Sequence, residues 1–141
     1  MRFMVIVKAT EMSERGLLPE DETALAAMGK FNEELVKAGV MLAGEGLHPS
    51  SKGARITYGA GSKRTVVDGP FAETKELVAG FWLLQTKTRE ECIEWMKRAP
   101  FGPGSSLEIR QIAEADDFAD IDPTGEIRAQ EKRLRETITS K

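Results

Sequence analysis

Two short segments hold the side chains best suited to chemistry. One is Gly44-Glu45-Gly46-Leu47-His48-Pro49; the other is Asp68-Gly69-Pro70-Phe71-Ala72-Glu73-Thr74-Lys75-Glu76. His48 is the sole histidine, and imidazole is the side chain whose ordinary pKa lies near neutrality. In a glycine-rich loop it can act as a general acid or base, or be a surface or hydrogen-bonded structural residue. Asp68 stands before Gly69-Pro70, where a carboxylate opens a turn by accepting backbone N–H groups two residues on. The same carboxylate can orient His48 or take a proton from a ligand. Glu73, Thr74 and Lys75 line the same loop, either as ligand contacts, or as a solvated face or a local ion-pair net. Phe71 reads as a plug that anchors the loop to the core, or as a stacking platform for a ligand.

Other chemistries fail on spacing. Glu45 and His48 have the Glu-x-x-His spacing that places two metal ligands on one helical face. The glycines at 44 and 46 oppose a helix, and no second motif completes a set, so no metal site is expected. Gly59-Ala60-Gly61-Ser62-Lys63 has the glycines of a phosphate loop but not its spacing, and no helix follows. Cys92 is the lone cysteine, which excludes an intrachain disulfide and a thiolate cluster. It falls on an apolar helical stripe, where a thiol is inert. No cofactor is implied.

The chain has 141 residues, 40% hydrophobic and 30% charged, with a net charge of −3. That length predicts one domain, able to bury roughly 70% of its extended surface. Lys and Arg are interspersed with acids, which gives no basic patch for nucleic acid. The apolar run Phe3-Met4-Val5-Ile6-Val7 is stopped by Lys8. It is too short for a signal-peptide core or a bilayer span. A cytoplasmic protein that does not enter membranes is expected.

The elements that must position the two loops follow from periodicity. Residues 2–9 read as a strand, and 10–18 as a polar loop. Residues 20–38 read as a helix, entered through Pro19 and ended at Gly39, with Ala24, Met28, Phe31 and Leu35 as its buried stripe. Short strands are expected at 40–44, 54–58 and 64–67, the last two joined by a turn at 59–63, and a strong strand at 79–86. Thr88 and Glu91 form a capping box for a helix over 89–98, with Cys92, Trp95, Met96 and Ala99 buried. Residues 106–112 make the last core strand. Beyond 113 an acidic run leads to a charged helix over 126–138, whose thin line of Ile127, Leu134 and Ile138 is too narrow to fold alone. The expected organisation is therefore a domain at 1–113 and an extension at 114–141.

This order predicts an α+β fold with two helices on one face of a mostly antiparallel sheet. A one-sided sheet would alternate apolar and polar residues. Here Phe3, Val5 and Val7 oppose Met4 and Ile6, and Phe81 and Leu83 oppose Trp82 and Leu84. Both faces are apolar, so the second face is expected to meet another copy about a two-fold axis. The alternative is that residues 126–138 cover it within one chain.

These segments resemble the YCII-related proteins, in the subgroup named for its Asp-Gly-Pro-Phe motif. The likeness rests on Met4-Val5-Ile6-Val7, the 44–49 and 68–76 segments, Gly80-Phe81-Trp82-Leu83-Leu84 and Glu108-Ile109-Arg110. It spans roughly residues 1–113. The resemblance implies a ferredoxin-like domain that pairs into a dimeric α/β barrel. The wider superfamily includes small enzymes acting on polar aromatic or lactone compounds, beside members with no assigned activity. Some YCII relatives use a His and an Asp as an acid–base pair; this chain's one histidine, His48, lies in a different segment from theirs.

Two functions are compatible with these residues. In the first, a cleft near the 44–49 and 68–76 loops binds a small polar organic molecule, contacted by Glu45, Phe71, Glu73, Thr74 and Lys75. His48 and Asp68 then move a proton without a cofactor. In the second, the same homodimer senses a ligand or serves as a scaffold. Residues 114–141 either dock on a neighbour, building a higher assembly, or fray.

Overall fold

In the computed structural model, residues 1–16, 19 and 21–140 are described. Leu17, Leu18 and Glu20, which the sequence places in the first loop and at the start of the first long helix, lie outside the described residues, as does Lys141. The chain divides into two compact units, residues 1–111 and 112–141.

The first unit is built on a four-stranded sheet. Its strands are β1 (Arg2–Lys8), β2 (Met41–Gly46), β5 (Val78–Gln85) and β6 (Leu107–Gln111), in the spatial order β2-β5-β1-β6. All three pairings are antiparallel. The two most apolar strands, β1 and β5, are therefore central. Phe3 pairs with Leu84 and Val5 with Trp82, and these four side chains are buried. Helices α2 (Glu22–Lys37) and α3 (Arg89–Met96) bury Phe31, Leu35, Cys92 and Met96 in the same cluster. Each fully buried Leu, Val or Phe in it contributes about 1.5–3 kcal/mol relative to exposure. Arg98 bridges to Glu34 at 2.7 Å, tying the segment after α3 to α2. The strand and helix order, with this spatial order, is consistent with a ferredoxin-like fold.

Trp82 is the centrepiece of the core. Phe31 and Phe101 meet its ring edge-on, at centroid distances of 6.0 and 6.1 Å. Its indole N–H would be costly to bury alone; it donates to Asn32 Oδ1 at 2.9 Å. On the opposite face of the sheet, Ile6 is paired with Phe81 and Met4 with Leu83. All four are half-buried, so the two-sided apolar character read from the sequence holds.

Several boundaries differ from the sequence-based expectation. Helix α2 begins after Asp21, whose carboxylate accepts from Ala24 N at 2.8 Å. The cap is thus two residues beyond the proline that suggested the entry. A short helix, α1 (Glu11–Arg15), stands where a polar loop was expected. Thr10 and Ser13 cap it reciprocally: Ser13 N donates to Thr10 Oγ1 and Thr10 N to Ser13 Oγ. Strands β3 (Ala54–Tyr58) and β4 (Arg64–Asp68) form a separate two-stranded hairpin between β2 and β5.

The second unit contains a short 3-10 turn at Ala115–Phe118 and helix α4 (Glu126–Thr139). Gly125 precedes α4 with φ of +77°, a conformation that favours glycine. Asp122, which is buried, takes over the capping: it accepts from Ile127 N at 3.3 Å, Arg128 N at 2.9 Å and Arg128 Nε at 3.1 Å. Ile127, Leu134 and Ile138 are exposed. Among the described residues, no helix is long and apolar enough to cross a membrane.

Candidate functional site

The two loops singled out by the sequence are locked together through a serine. Helix α1 presents Glu14, whose carboxylate accepts from Ser50 N at 2.9 Å and, through its other oxygen, from Ser50 Oγ. Ser50 Oγ in turn accepts from Phe71 N at 3.1 Å. One hydroxyl thus joins α1, the turn at 49–53 and the Asp68-Gly69-Pro70-Phe71 segment. The 49–53 turn closes through Lys52 N to Pro49 O and Gly53 N to Ser50 O, and Gly69 N donates to Gly53 O at 2.9 Å. Gly69 lies so close that a Cβ there would sit 1.7 Å from the Ser50 carbonyl oxygen. The Gly69-Pro70 peptide is cis.

Strand β2 delivers the other loop. Glu45 pairs with Phe81 across the ladder, and a Cβ on Gly80 would meet Glu45 O at 2.8 Å. Leu47 N continues the ladder to Ala79 O at 2.8 Å. His48 thus sits between two anchored neighbours, Leu47 and the 49–53 turn. Its side chain is exposed and, among the described residues, has no hydrogen-bond partner.

Asp68 ends β4, paired with Ala54. Its carboxylate is also exposed and without a partner among the described residues. The turn bond expected of it is not made. The residue two positions on is Pro70, which has no N–H, and the next amide, Phe71, is taken by Ser50. Phe71 is half-buried with the Arg55 guanidinium 3.9 Å from its ring centroid, a cation–π contact on one face of the ring. Thr74 is half-buried at the start of a 3-10 turn over Thr74–Glu76, while Glu73 and Lys75 are exposed. Among the described residues neither forms an ion pair, so the alternative of a local charge net is not realised. Glu45 is exposed as well.

The structure therefore brings together the backbones that carry His48 and Asp68, and leaves both side chains uncommitted. Glu14 and Ser50 were not legible as site residues, since the bonds that join them span 36 and 21 positions of sequence. Among the described residues, no group of three or more His, Cys, Asp or Glu is placed to hold a metal ion. Cys92 is buried in the core; burial, with a smaller contribution from Glu91, pushes its thiol up to about 11.

Comparison with known proteins agrees with this frame. The YCII-related domain matches residues 1–116. An uncharacterised protein of Rhizobium meliloti (strain 1021) is 31% identical over 96 residues, which cover 67% of this chain and 77% of that one. On that match, across both loops and every strand of the antiparallel sheet, the chain belongs to the YCII-related family.

Proposed function

We propose that this is a DGPF-type YCII-related protein that works as a homodimer and binds a small polar organic molecule beside the 44–49 and 68–76 loops. The pair forms by stacking the sheet faces that carry Met4, Ile6, Phe81 and Leu83 into a dimeric α/β barrel. His48 and Asp68 move a proton in the bound molecule without a cofactor, with Glu45, Phe71, Glu73, Thr74 and Lys75 as contacts. One observation carries the reading: the loops' internal hydrogen bonds are made by Glu14, Ser50 and backbone groups, which leaves His48 and Asp68 free on a rigid support. Pre-positioned, uncommitted acid and base groups are what proton transfer requires. The DGPF-type loop sequence and the half-buried apolar face support the subgroup and the pairing.

A second reading is a non-catalytic sensing or scaffold dimer. The exposure of both His48 and Asp68 favours it, since acid–base chemistry gains from a site that excludes water. Titration of a panel of small aromatic acids and lactones, followed through the His48 ring resonances, separates the two. The enzymatic reading expects a ligand that shifts those resonances and is turned over, with turnover lost in His48→Ala at unchanged thermal stability. Binding without turnover, with equal affinity in His48→Ala and the parent by calorimetry, would leave the scaffold reading standing. Sedimentation tests the pairing: two 15.5 kDa chains should travel together, and Phe81→Glu should separate them.

A further inference from the structure

The β3–β4 hairpin has a self-matching outer face. Its register pairs Ala54 with Asp68, Ile56 with Val66 and Tyr58 with Arg64. Alternation along a strand puts these six side chains on one face. The contact of Arg64 over the Tyr58 ring, 4.6 Å from its centroid, agrees. The other face carries Arg55, Thr57, Thr65 and Val67, and Arg55 reaches from it to Phe71 of the domain's own loop. The first face is bare: Ile56 is 55% exposed, Val66 62% and Tyr58 71%. A two-stranded hairpin without a packed face is marginal in water.

The arrangement of residues on that face selects its occupant. Ile56 and Val66 lie side by side at the middle. Along β4, Arg64 stands two residues to one side of Val66 and Asp68 two residues to the other. Along β3, bulky Tyr58 and small Ala54 flank Ile56 in the same way. A two-fold axis across the strands at the Ile56–Val66 level reverses the strand direction. It sets Ile56 and Val66 against their own counterparts, Arg64 against the partner's Asp68, and Tyr58 against the partner's Ala54. Opposite charges meet at both ends, and large meets small. This is the self-complementarity that an isologous contact requires. Arg64 Nη1 donates to the carbonyls of Gly61 and Lys63, and its remaining N–H groups are available for a carboxylate.

We infer that the outer face of this hairpin is a self-association surface, on which the hairpin of a second copy of the chain stacks in antiparallel orientation. It is distinct from the sheet face that carries Phe81. The six residues of the face are far fewer than the roughly 20–30 a side of a standard interface, so the contact is weak and exchanges quickly, and a covalent trap is the appropriate probe. The test uses the full chain carrying Val66→Cys, treated with a short bis-maleimide at low micromolar protein. Stacked strands lie about 10 Å apart, within reach of such a linker, and the native thiol, Cys92, is buried. Thr65→Cys, on the opposite face, is the control. The expected result is a covalent dimer from Val66→Cys several-fold in excess of that from Thr65→Cys. Adding Arg64→Asp should lower the yield, and adding Asp68→Arg to that should restore it. Equal yields from the two cysteine positions would overturn the inference, as would a Val66→Cys yield indifferent to Arg64→Asp.

Discussion

Replacing Ser50 with alanine removes the one hydroxyl on which three segments converge. Two bonds are lost: the donation from Ser50 Oγ to Glu14, and the acceptance from Phe71 N. A hydrogen bond to a charged acceptor contributes about 1.5–3 kcal/mol, and a neutral one about 1 kcal/mol. Ser50 is half-buried, so water replaces part of what is lost and the low end of each range applies. Glu14 also keeps its bond from Ser50 N. The expected loss is therefore about 2 kcal/mol. Urea unfolding at one fixed protein concentration measures it as a lower midpoint with an unchanged slope. Amide exchange supplies a local reading: the Phe71 N–H, protected in the parent, should exchange much faster, while Leu84 in the core should change only by the global loss. A change below about 0.5 kcal/mol, the size of an ordinary surface substitution, together with a still-protected Phe71 amide, would refute the idea that Ser50 holds the loops.

Three further outcomes are expected. Gly69→Ala places a Cβ on the Ser50 carbonyl oxygen, so the loops must separate; resonances of residues 48–53 and 68–71 should shift together while those of β1 stay in place. Asp122 has its pKa lowered, foremost by the Arg128 backbone N–H and despite its burial. Its folded pKa is below the unfolded value of about 3.9, so its contribution to capping α4 is complete above that pH and disappears as pH falls through the folded value. The amide shifts of Ile127 and Arg128 should report this, and in Asp122→Asn the same transition should be missing. The Cys92 thiol, pushed up to about 11 by burial and secondarily by Glu91, should resist a disulfide reagent at neutral pH in the native protein and react at once in urea; rapid native labelling would contradict its place in the core.

The sheet and the two helices packed on it, α2 and α3, were legible because their signals are local. Phe31 and Leu35 repeat at helical spacing, and the runs around Val5 and Trp82 are short, apolar and bounded by polar residues. Helix α1 escaped notice because five residues show no apolar stripe, and its Thr10–Ser13 box uses serine in place of the usual Glu or Gln. Asp21 is masked as a cap by Pro19, which signals an earlier helix start. The site was legible only in part. The 68–76 motif marks a loop that the structure ties to the 49–53 turn, but the turn bond expected of Asp68 is not made, because Pro70 has no N–H. The true clasp, Glu14 to Ser50 to Phe71, arises from tertiary approach and leaves no mark on any local pattern.

From Leu47 through Glu76 no residue is buried. That whole connection, hairpin and loops included, lies outside the cluster around Trp82, and Glu14 reaches into it from the framework through Ser50. Outside Ser50, Gly69 and their partners, a change or insertion in this segment therefore leaves the packing around Trp82 untouched. The proposed ligand site can thus be recut without disturbing the platform beneath it.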